Sequence, residues 1–559
     1  MANKRLFQSA ARVLPSADVR NEAGGLAYSM PAKHALAQLA ATGCVSNTFY
    51  ATAETQMQKV LDLAKTVEPE FVAKTAVYAR ERALMKDMPA LLCAVLAGSE
   101  AGRKCLPLVF GRVIDSPKMA SNFVQIVRSG VTGRKSLGSM PKRLVQRWLE
   151  SRTDDQTFRG SVGTANPSLV DLIRMVHPHP KTESQRALYG YLSGRNPKEF
   201  KNARSGNFGY RAEDLPGLVR AFEAFKADPK DADVPEVPFL MLTSLPLDVS
   251  AWTRIAATAS WQTTRMNLNT FLRHDVFKEP RMVKLIADRL RDRKEIQRAK
   301  VFPYQLLAAY TYADSSVPRE IKDALHDAME VAVENVPVIE GNVAVCVDVS
   351  GSMHSPVTGS QDSGGAAVRK GRVFSGATTK VQCIDVAALV AASILRRNPK
   401  AEVIVFSDRV HQDSHLEPRD TVMTNAKKLM SQPAGGTNCS APIAYLNHYK
   451  KQVDVVVMVS DYESWVDSNN ASVRSASGHG GTTAMMKEWQ TLRGRCKNAK
   501  LVCMDLQPNT SIQAVDRPDI LNVGGFNDSV YDLMALFAKG EMSAEHWVGE
   551  INKIRLSDA

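Results

Sequence analysis

Three short polar segments in the C-terminal part of the sequence carry side chains that could bind a divalent metal ion. The first is DVSGSM, in which Asp348, Ser350 and Ser352 occupy alternate positions directly after an apolar run. In a tight loop this spacing can place one carboxylate and two hydroxyls around a single point, and hard cations prefer such oxygen ligands. Asp and Ser also serve as turn and helix-capping residues, so the motif alone leaves both interpretations open.

Two further segments could complete such a site. GGTN contains Thr437 and precedes a helical segment, and SDYES contains Asp461 and follows another apolar run. If the apolar runs are parallel strands of one sheet, their carboxyl ends meet at the same edge, where ligands of such sheets bind. We therefore expect the three segments to lie close together and to supply oxygen ligands to one divalent cation, Mg²⁺ before other ions.

The sequence motifs argue against an enzyme. A haloacid-type phosphotransferase needs a second Asp two residues after the first, and Ser350 occupies that position. A phosphate-binding P-loop motif is absent, since GVTGRKS (130–136) has the wrong spacing. His411 and His415 lack the Glu of a zinc-protease helix and lie in a charged segment, which favours a solvated surface. No other segment sets a nucleophile beside a base.

The elements that would position the metal-binding segments form an α/β domain, which we place at residues 338–559. Short β-branched runs alternate there with helical patterns, and the runs are NVAVCVDV (342–349), AEVIVFS (401–407), DVVVMVS (454–460) and AKLVCMDL (499–506). Strands that are apolar throughout and separated by helices predict a doubly wound parallel sheet that is buried on both faces. Two segments rich in Gly and Ser, 355–379 and 464–482, are expected to project at the ligand-binding edge.

The preceding part of the chain, residues 1–337, is predicted to be helical. Apolar residues recur there at intervals of three and four, in segments such as ETQMQKVLDLAKTV and EFVAKTAVYARERAL, with short breaks at Pro69, Pro89 and Pro117. Paired helices with short links over some 300 residues favour an α-solenoid of the HEAT type. A globular helical bundle is the alternative.

The positive charge of the chain is concentrated in the helical part. Of the net charge of +13, residues 1–340 carry 48 Lys and Arg against 36 Asp and Glu, whereas residues 341–559 carry 23 against 22. A basic field attracts polyanions, and nucleic acid is the commonest polyanion in a cell. Solubility alone could also account for such an excess.

Two places in the helical part could hold phosphates. Residues 128–147 contain six basic side chains and no acidic one: Arg128, Arg134, Lys135, Lys142, Arg143 and Arg147. Basic side chains at a loop rich in Gly and Ser can bind phosphates by charge and hydrogen bonds, although the same residues would also suit a solvated loop. Further on, Arg174 and His177 stand at the end of a predicted helix, where a histidine before proline is usually an ordinary helix terminator.

The C-terminal segments resemble a von Willebrand factor A (vWA) domain, and the three polar loops resemble its metal-ion-dependent adhesion site. The resemblance implies that Asp348, Ser350, Ser352 and Thr437 are Mg²⁺ ligands or near-ligands and that Asp461 acts through water. It also implies an open coordination position that accepts a carboxylate from a partner, which is adhesion rather than catalysis.

The whole chain resembles the TROVE-module proteins of the Ro autoantigen family, in particular their bacterial Rsr-like members. The resemblance rests on GGLAYSMPAKHALAQLAATGCVSNTFYAT, SGVTGRKSLG and LIRMVHPHP, followed by the vWA domain in the family's order. It implies HEAT-like helices that close into a ring whose ends the vWA domain joins. One departure from the family pattern is RTDDQTFRGSVGTAN, where Asp154 and Asp155 stand in a segment expected to be rich in Lys and Arg.

The family resemblance implies a function in noncoding-RNA quality control without enzymatic activity. Small noncoding Y RNAs would bind the basic outer surface, to which Arg174 and His177 belong by motif, and single-stranded 3′ ends of misfolded RNAs would enter a basic central hole near Arg128, Arg134 and Lys135. An exoribonuclease such as polynucleotide phosphorylase is an expected partner. The alternative function is an Mg²⁺-dependent protein adhesion module that binds an acidic ligand, with the helical part as its scaffold.

Composition adds expectations about location and assembly. The N-terminal MANKRLFQSAARVL lacks the apolar region of a signal peptide, no apolar run is long enough to span a bilayer, and the eight cysteines show no zinc or disulfide spacing. We therefore expect a cytoplasmic monomer.

Overall fold

A computed structural model describes residues 14–42, 53–162, 166–194, 210–299, 301–357, 367–369, 372–374, 381–411, 415–466, 482–508, 511–526, 529–542 and 546–556. Most of the two Gly- and Ser-rich segments, 355–379 and 464–482, lies outside these residues, so their projection from the sheet stays a prediction. Among the described residues, no helix has both the length and the apolar character needed to cross a membrane.

The chain packs into two compact units. The sheet unit comprises Met1–Leu63, Arg291–Tyr312 and Asp323–Lys553, and the helical unit comprises Ala64–Leu290, Ala313–Lys322 and Ile554–Ala559. The units are defined by packing and cross the sequence-based boundary at residue 337 in both directions. The division into 1–337 and 338–559 therefore stays a prediction about sequence modules, while packing joins the N-terminal segment to the sheet unit.

The strands are short, and we number them in chain order as β1 (Val19–Arg20), β2 (Leu26–Ser29), β3 (Val343–Asp348), β4 (Ala367–Arg369), β5 (Arg372–Phe374), β6 (Glu402–Phe406), β7 (Val410–His411), β8 (Val455–Ser460), β9 (Lys500–Asp505), β10 (Ser511–Ile512) and β11 (Ile520–Gly524).

The helices up to residue 273 are α1 (Ala32–Thr42), α2 (Ala53–Thr66), α3 (Pro69–Glu81), α4 (Asp87–Gly98), α5 (Glu100–Val113), α6 (Pro117–Ser129), α7 (Ser139–Glu150), α8 (Asp154–Arg159), α9 (Leu169–Val176), α10 (Glu183–Leu192), α11 (Gly217–Ala227), α12 (Phe239–Thr243), α13 (Val249–Thr258), α14 (Trp261–Met266) and α15 (Leu268–Arg273). The remaining helices are α16 (Pro280–Arg291), α17 (Arg293–Arg298), α18 (Pro303–Tyr312), α19 (Arg319–Ala332), α20 (Cys383–Arg397), α21 (Val422–Met430), α22 (Ala441–His448), α23 (Ala484–Arg495), α24 (Ser529–Lys539) and α25 (His546–Asn552).

A six-stranded sheet in the order β11-β9-β8-β3-β6-β7 forms the centre of the sheet unit. Its first five strands are parallel and only the edge strand β7 is antiparallel, pairing with β6. Strands β3 and β8 are buried along their whole length, as expected of strands that are covered on both faces. All four predicted strands are present, and the predicted α/β architecture is confirmed.

Helices cover both faces of this sheet. Ala344, Cys346 and Met458 belong to a buried apolar cluster with Ile443 of α22 and Trp489 of α23. Because side chains alternate along a strand, the intervening valines of β3 point to the opposite face, where α20 packs against β3 and β8. The sheet therefore holds its strand ends rigidly between two helical layers.

The N-terminal segment contributes a β-hairpin to the sheet unit. Strand β2 pairs antiparallel with β1 on one side and with β10 on the other, with Ser29 opposite Ser511. Tyr28 and Met30 lie in the same apolar cluster as the strands of the main sheet. Sequence periodicity missed this hairpin because strands of two to four residues are too short to show alternation.

The helical unit is built from helices that pack against near neighbours in the sequence. Helix α3 packs against α4 and α5, α4 against α6, and α5 against α7. Ser116 caps α6 next to a proline in the first turn, and Gly130 ends the helix in the left-handed conformation. A helical N-terminal region is confirmed, whereas closure of the helices into a ring stays a prediction.

Candidate metal centre and basic surface

The first metal-binding segment directly follows β3. Asp348 is the last residue of that strand and is fully buried, and the backbone N–H of Ser350 donates to its Oδ1 over 2.8 Å. The other carboxylate oxygen accepts a hydrogen bond from the Ser460 hydroxyl, at the end of the neighbouring β8. The hydroxyls of Ser350 and Ser352 lie 3.3 Å apart. The predicted spacing thus brings one carboxylate and two hydroxyls together.

The second segment reaches the first through the backbone. The N–H of Gly351 donates to the carbonyl of Gly435 over 3.0 Å, two residues before the buried Thr437. A Cβ atom at Gly435 would lie 2.7 Å from the Ser407 hydroxyl, and one at Gly436 would lie 2.9 Å from the Trp465 ring. Only glycines allow this turn to pack so closely beneath Thr437.

The third segment brings in Asp461. This carboxylate is buried, and neither of its oxygens has a hydrogen-bond partner of good geometry among the described residues. The Ser352 hydroxyl and the backbone N–H groups of Glu463 and Asp461 lie near enough to lower its pKa in part, but burial dominates and raises that pKa above the usual range of an aspartate. Buried carboxylate oxygens that lack a well-aligned donor are commonly satisfied by an ordered water or by a cation.

The pKa of Asp348 is raised as well. Burial raises the pKa of its carboxyl, and the charge of Asp461 raises it further, while the hydrogen bonds from Ser460 and Ser350 lower it in part. Two buried carboxylates with like charges disfavour each other's ionised form. A cation held by these residues would reduce this penalty, since a bound cation is often the largest local charge in a site and inverts the local pKa pattern.

The donor set fits a small hard cation. Asp348, Ser350, Ser352 and Asp461 are linked by direct contacts, and Thr437 joins them through the loop of Gly435. No group of three or more His, Cys, Asp or Glu side chains suited to a metal ion occurs within the described parts of the chain. A cation at this edge would therefore depend on hydroxyl oxygens as well as carboxylates, which favours Mg²⁺ over softer ions.

Sequence reasoning missed two serines that support the site. Ser460 donates to Asp348, and the hydroxyl of Ser464 accepts a hydrogen bond from the N–H of Cys439 over 3.0 Å. Both serines are buried and flank Asp461 in the segment SDYES. Their position beside an expected ligand was the available signal.

The interpretation of His411 needs correction. Sequence analysis placed it on a solvated surface, but it lies on β7 with its Nε2 2.8 Å from the hydroxyl of Ser407. Desolvation lowers the pKa of the imidazole, and the charge of Arg409 lowers it further. A serine therefore does stand beside a base, contrary to the expectation from sequence. Ser407 is fully buried with Gly435 packed onto its hydroxyl, which closes it to a substrate. His415 is exposed as expected.

The predicted RNA-binding residues all lie in the helical unit, near α6, α7 and α9. Two of the seven, Arg134 and Lys142, are partly buried, and the exposed ones are Arg128, Lys135, Arg143, Arg174 and His177. Some are engaged within the protein, since Arg134 donates to the Ala97 carbonyl over 3.0 Å and Arg174 to the Ser193 carbonyl over 3.1 Å. Lys135 and Arg143 are exposed cations in a stretch that has no acidic residue to offset their charge.

The loop between α6 and α7 has a backbone that needs glycine. Gly130, Gly133 and Gly138 have φ values of 94°, 81° and 73°, which other residues rarely adopt. A Cβ atom at Gly138 would lie 2.2 Å from the Arg134 guanidinium, which packs across the loop. The loop therefore has a defined conformation, and Lys135 is exposed on its surface.

His177 ends α9 as the sequence predicted. It adopts the left-handed conformation with φ 51°, and its N–H donates to the Ile173 carbonyl. The Gln146 amide of α7 donates to its carbonyl over 3.0 Å, which ties the two helices together. The imidazole itself is exposed.

Comparisons with known proteins extend over nearly the whole chain. A family model described as the Ro60 vWA domain matches residues 372–538. The RNA-binding protein RO60 of Deinococcus radiodurans is 26% identical to this chain, and the alignment covers 95% of this chain and 97% of that protein. The chain is similar to Ro proteins over nearly its whole length. The resemblance predicted from the N-terminal and vWA motifs is thereby confirmed.

Two further matches have lower sequence identity. The RNA-binding protein RO60 of Caenorhabditis elegans is 22% identical over 46% of this chain and 37% of that protein. The crystal structure of the Deinococcus radiodurans RO (RSR) protein superposes with a TM-score of 0.63 at 22% identity, over 92% of this chain and all of that one. The structural likeness supports a shared fold.

Proposed function

We propose that this chain is a non-enzymatic RNA-binding protein of noncoding-RNA quality control. The observation that carries the proposal is the alignment over 95% of the chain with a relative named an RNA-binding protein. The proposed RNAs are small Y-like noncoding RNAs on the outer surface and single-stranded 3′ ends of misfolded RNAs in a basic central hole. An exoribonuclease such as polynucleotide phosphorylase is the proposed protein partner.

The basic side chains of the helical unit support this proposal by their chemistry. Exposed Lys135 and Arg143 can each bind phosphate oxygens by charge and hydrogen bonds, and such contacts carry no base sequence information. Recognition would then depend on RNA shape and on a free single-stranded end. Each phosphate contact releases a counterion, so affinity should fall steeply as salt increases.

A pair of matched charge reversals tests the RNA proposal. We expect Arg143→Glu to weaken binding of a Y-like RNA about tenfold or more, since it removes a phosphate contact and adds repulsion. Lys400→Glu, which makes the same charge change at an exposed position of the sheet unit, should leave binding within about twofold. Affinities for this RNA and for a hairpin with a 3′ tail would be measured at 50 and 200 mM salt. Equal weakening by the two variants, or affinities indifferent to salt, would refute the proposal.

We further propose that the five residues at the sheet edge hold a divalent cation, Mg²⁺ in the first instance. The buried carboxylate oxygens of Asp461, which lack a well-aligned hydrogen-bond donor among the described residues, favour this proposal. When bound, the ion would offer an open coordination position to a carboxylate of a protein partner. Asp348, Ser350, Ser352 and Thr437 would hold the ion as ligands or near-ligands, and Asp461 would balance its charge through water.

The second candidate function, an Mg²⁺-dependent adhesion module for an acidic protein ligand, follows from this site. It predicts that Asp348→Ala abolishes cation binding and capture of a partner with an exposed Asp or Glu, whereas RNA does not copurify. Calorimetric titration with Mn²⁺ and sequencing of copurified RNA distinguish the two functions. RNA that copurifies equally with wild type and Asp348→Ala would favour the RNA proposal.

A further inference from the structure

The N-terminal turn lies against the loop that follows Asp461. The side-chain amide of Asn21 donates to the carbonyl of Ser464 over 2.7 Å, and the N–H of Ala23 donates to the Glu463 carboxylate over 3.1 Å. Asn21, Glu463 and Ser464 are buried. These residues are far apart in sequence but belong to the same compact unit. The turn thus supplies donors to two consecutive residues of the third metal-binding segment.

The turn itself is closed by the same asparagine. Its Oδ1 accepts a hydrogen bond from the N–H of Gly25 over 2.6 Å, and its backbone N–H donates to the Gly25 carbonyl over 2.9 Å. One side of the Asn21 amide therefore shapes the turn and the other side holds Ser464. This division of roles allows the two effects to be separated by substitution.

Gly25 makes the closest backbone approach between the turn and the loop. A Cβ atom at this position would lie 1.9 Å from the carbonyl oxygen of Ser464 and 3.0 Å from its carbonyl carbon. Because both are backbone atoms, no side-chain rotation relieves the overlap, and the loop or the turn must move. The distance from the turn to the loop thus depends on the absence of a side chain at residue 25.

Ser464 and the two residues after it also contact the second metal-binding segment. Its hydroxyl accepts from the N–H of Cys439, and the N–H groups of Trp465 and Val466 both donate to the Thr437 carbonyl over 3.2 Å. Thr437 is one of the proposed ligands. A displacement of the loop at Ser464 would therefore shift both Asp461 and Thr437.

We propose that Asn21 and Gly25 are positioning residues for the metal centre, and that cation binding and attachment of the N-terminal turn stabilise each other. The inference rests on the proposed cation site. Partners that orient metal ligands are usually worth about ten- to a hundredfold in metal affinity. Any coupling between the turn and the cation must also act in both directions.

Three substitutions in the full chain test the inference. Asn21→Asp keeps the acceptor for Gly25 but removes the donor to Ser464, and Gly25→Ala introduces the overlapping Cβ. Ser29→Ala is the matched control, because it removes only an exposed hydrogen bond to Asp18 within the same hairpin. We expect the first two variants to weaken Mn²⁺ binding by about tenfold in calorimetric titration and Ser29→Ala to change it less than about twofold.

A second measurement does not depend on the cation. Amide hydrogen exchange without added metal should become faster at Trp465 and Val466 in Asn21→Asp and Gly25→Ala, while exchange in β3 and β8 stays at the wild-type rate, which shows that the sheet remains folded. In wild type, Mn²⁺ should slow exchange in residues 21–25. Wild type that binds no Mn²⁺ would refute the cation site itself. Wild type that binds Mn²⁺, with Asn21→Asp equal to it in affinity and exchange, would refute only the positioning role.

Discussion

Both carboxylate oxygens of Asp461 are buried without a hydrogen-bond partner of good geometry among the described residues, and the charge of Asp461 raises the pKa of Asp348. The free energy of unfolding should therefore be lower without a cation than with one. An ion that binds only the folded state adds about 2.7 kcal/mol when its concentration is a hundred times its Kd. Relative to wild type, Asp461→Asn should therefore change the Tm in opposite directions without and with the cation.

Asp461→Asn should raise the Tm in EDTA, because it removes a buried charge, and should abolish the rise in Tm that Mg²⁺ gives the wild type. Differential scanning calorimetry in EDTA and in Mg²⁺ provides the measurement. Compared with wild type, the Tm of the variant should be about 2 °C or more higher in EDTA and about 2 °C or more lower in Mg²⁺. Lys400→Ala, at an exposed position, is the control and should retain the Mg²⁺ response. A variant that loses Tm in both buffers would contradict the prediction.

Asp519 shows the reverse electrostatic situation at the residue scale. Burial raises the pKa of its carboxyl, but hydrogen bonds from Arg517 and Trp489, together with the charge of Arg493, outweigh burial and lower it overall. The Trp489 indole N–H donates to the Asp519 carboxylate over 3.0 Å, and this bond joins α23 to the residue directly before β11. A carboxylate held by such donors stabilises the folded state only while it is ionised.

The stability that Asp519 contributes should be complete above the pKa of a free aspartate, about 3.9, and should be lost as the pH falls below that value. Asp519→Asn should cost about 2 kcal/mol at pH 7, since hydrogen bonds to a charged group are lost. The difference in Tm between wild type and variant, followed from pH 7 to pH 3, measures both effects. A difference that grows toward low pH would contradict the assignment.

At the scale of single elements, the two ends of α9 allow a structural role to be tested apart from a role in RNA binding. A capping box of Ser168 and Asp171 begins the helix, and His177 ends it in the left-handed conformation. Asparagine tolerates that conformation better than most residues. His177 can therefore be exchanged without disturbing the helix end, which gives a direct test of its place in the RNA surface.

His177→Asn should leave the Tm unchanged and weaken Y-like RNA about fivefold, which corresponds to about 1 kcal/mol for a lost hydrogen bond. Ser168→Ala, at the other end of the same helix, should cost about 1 kcal/mol of stability and leave RNA affinity unchanged. Filter binding and thermal unfolding of both variants check the pair. If His177→Asn binds RNA as wild type does, the imidazole is only a helix terminator.

Sequence patterns predicted those elements that are long and uniformly apolar. Strands β3 and β8 are continuous runs of Val, Ala, Cys and Met, and a parallel buried strand is the usual outcome of such a run. Strand β11 escaped notice because Asn522 interrupts ILNVG, and its amide is satisfied only in the fold, by the Ala514 carbonyl and by Asp516. Likewise, the ligand types were readable from DVSGSM, but the support from Ser464 and Asn21 depends on contacts between distant segments.

At the scale of the whole molecule, the two proposed sites belong to different compact units. The basic residues lie within Ala64–Leu290, and the cation-binding residues lie within Asp323–Lys553. Effects of substitutions that share no partners usually add, so each site should respond on its own.

Asp461→Asn should accordingly change cation binding and leave the affinity for a Y-like RNA within about twofold at constant Mg²⁺. Conversely, Arg143→Glu should leave Mn²⁺ affinity unchanged. Calorimetry for the ion and filter binding for RNA, on the same two preparations, complete the test. A loss of RNA affinity in Asp461→Asn at unchanged Tm would show that the two sites are coupled.

The pairing of β2 with β10 also has a consequence for how the chain folds during its synthesis. His34, in the first turn of α1, contacts Asp516, a residue 482 positions further along the chain. At ribosomal speeds of 5–20 residues per second, the N-terminal hairpin must wait about 25 to 100 seconds before its neighbouring strand has been made. During that interval the strands that bury Tyr28 and Met30 have not been made, so we expect both side chains to stay exposed on the nascent chain.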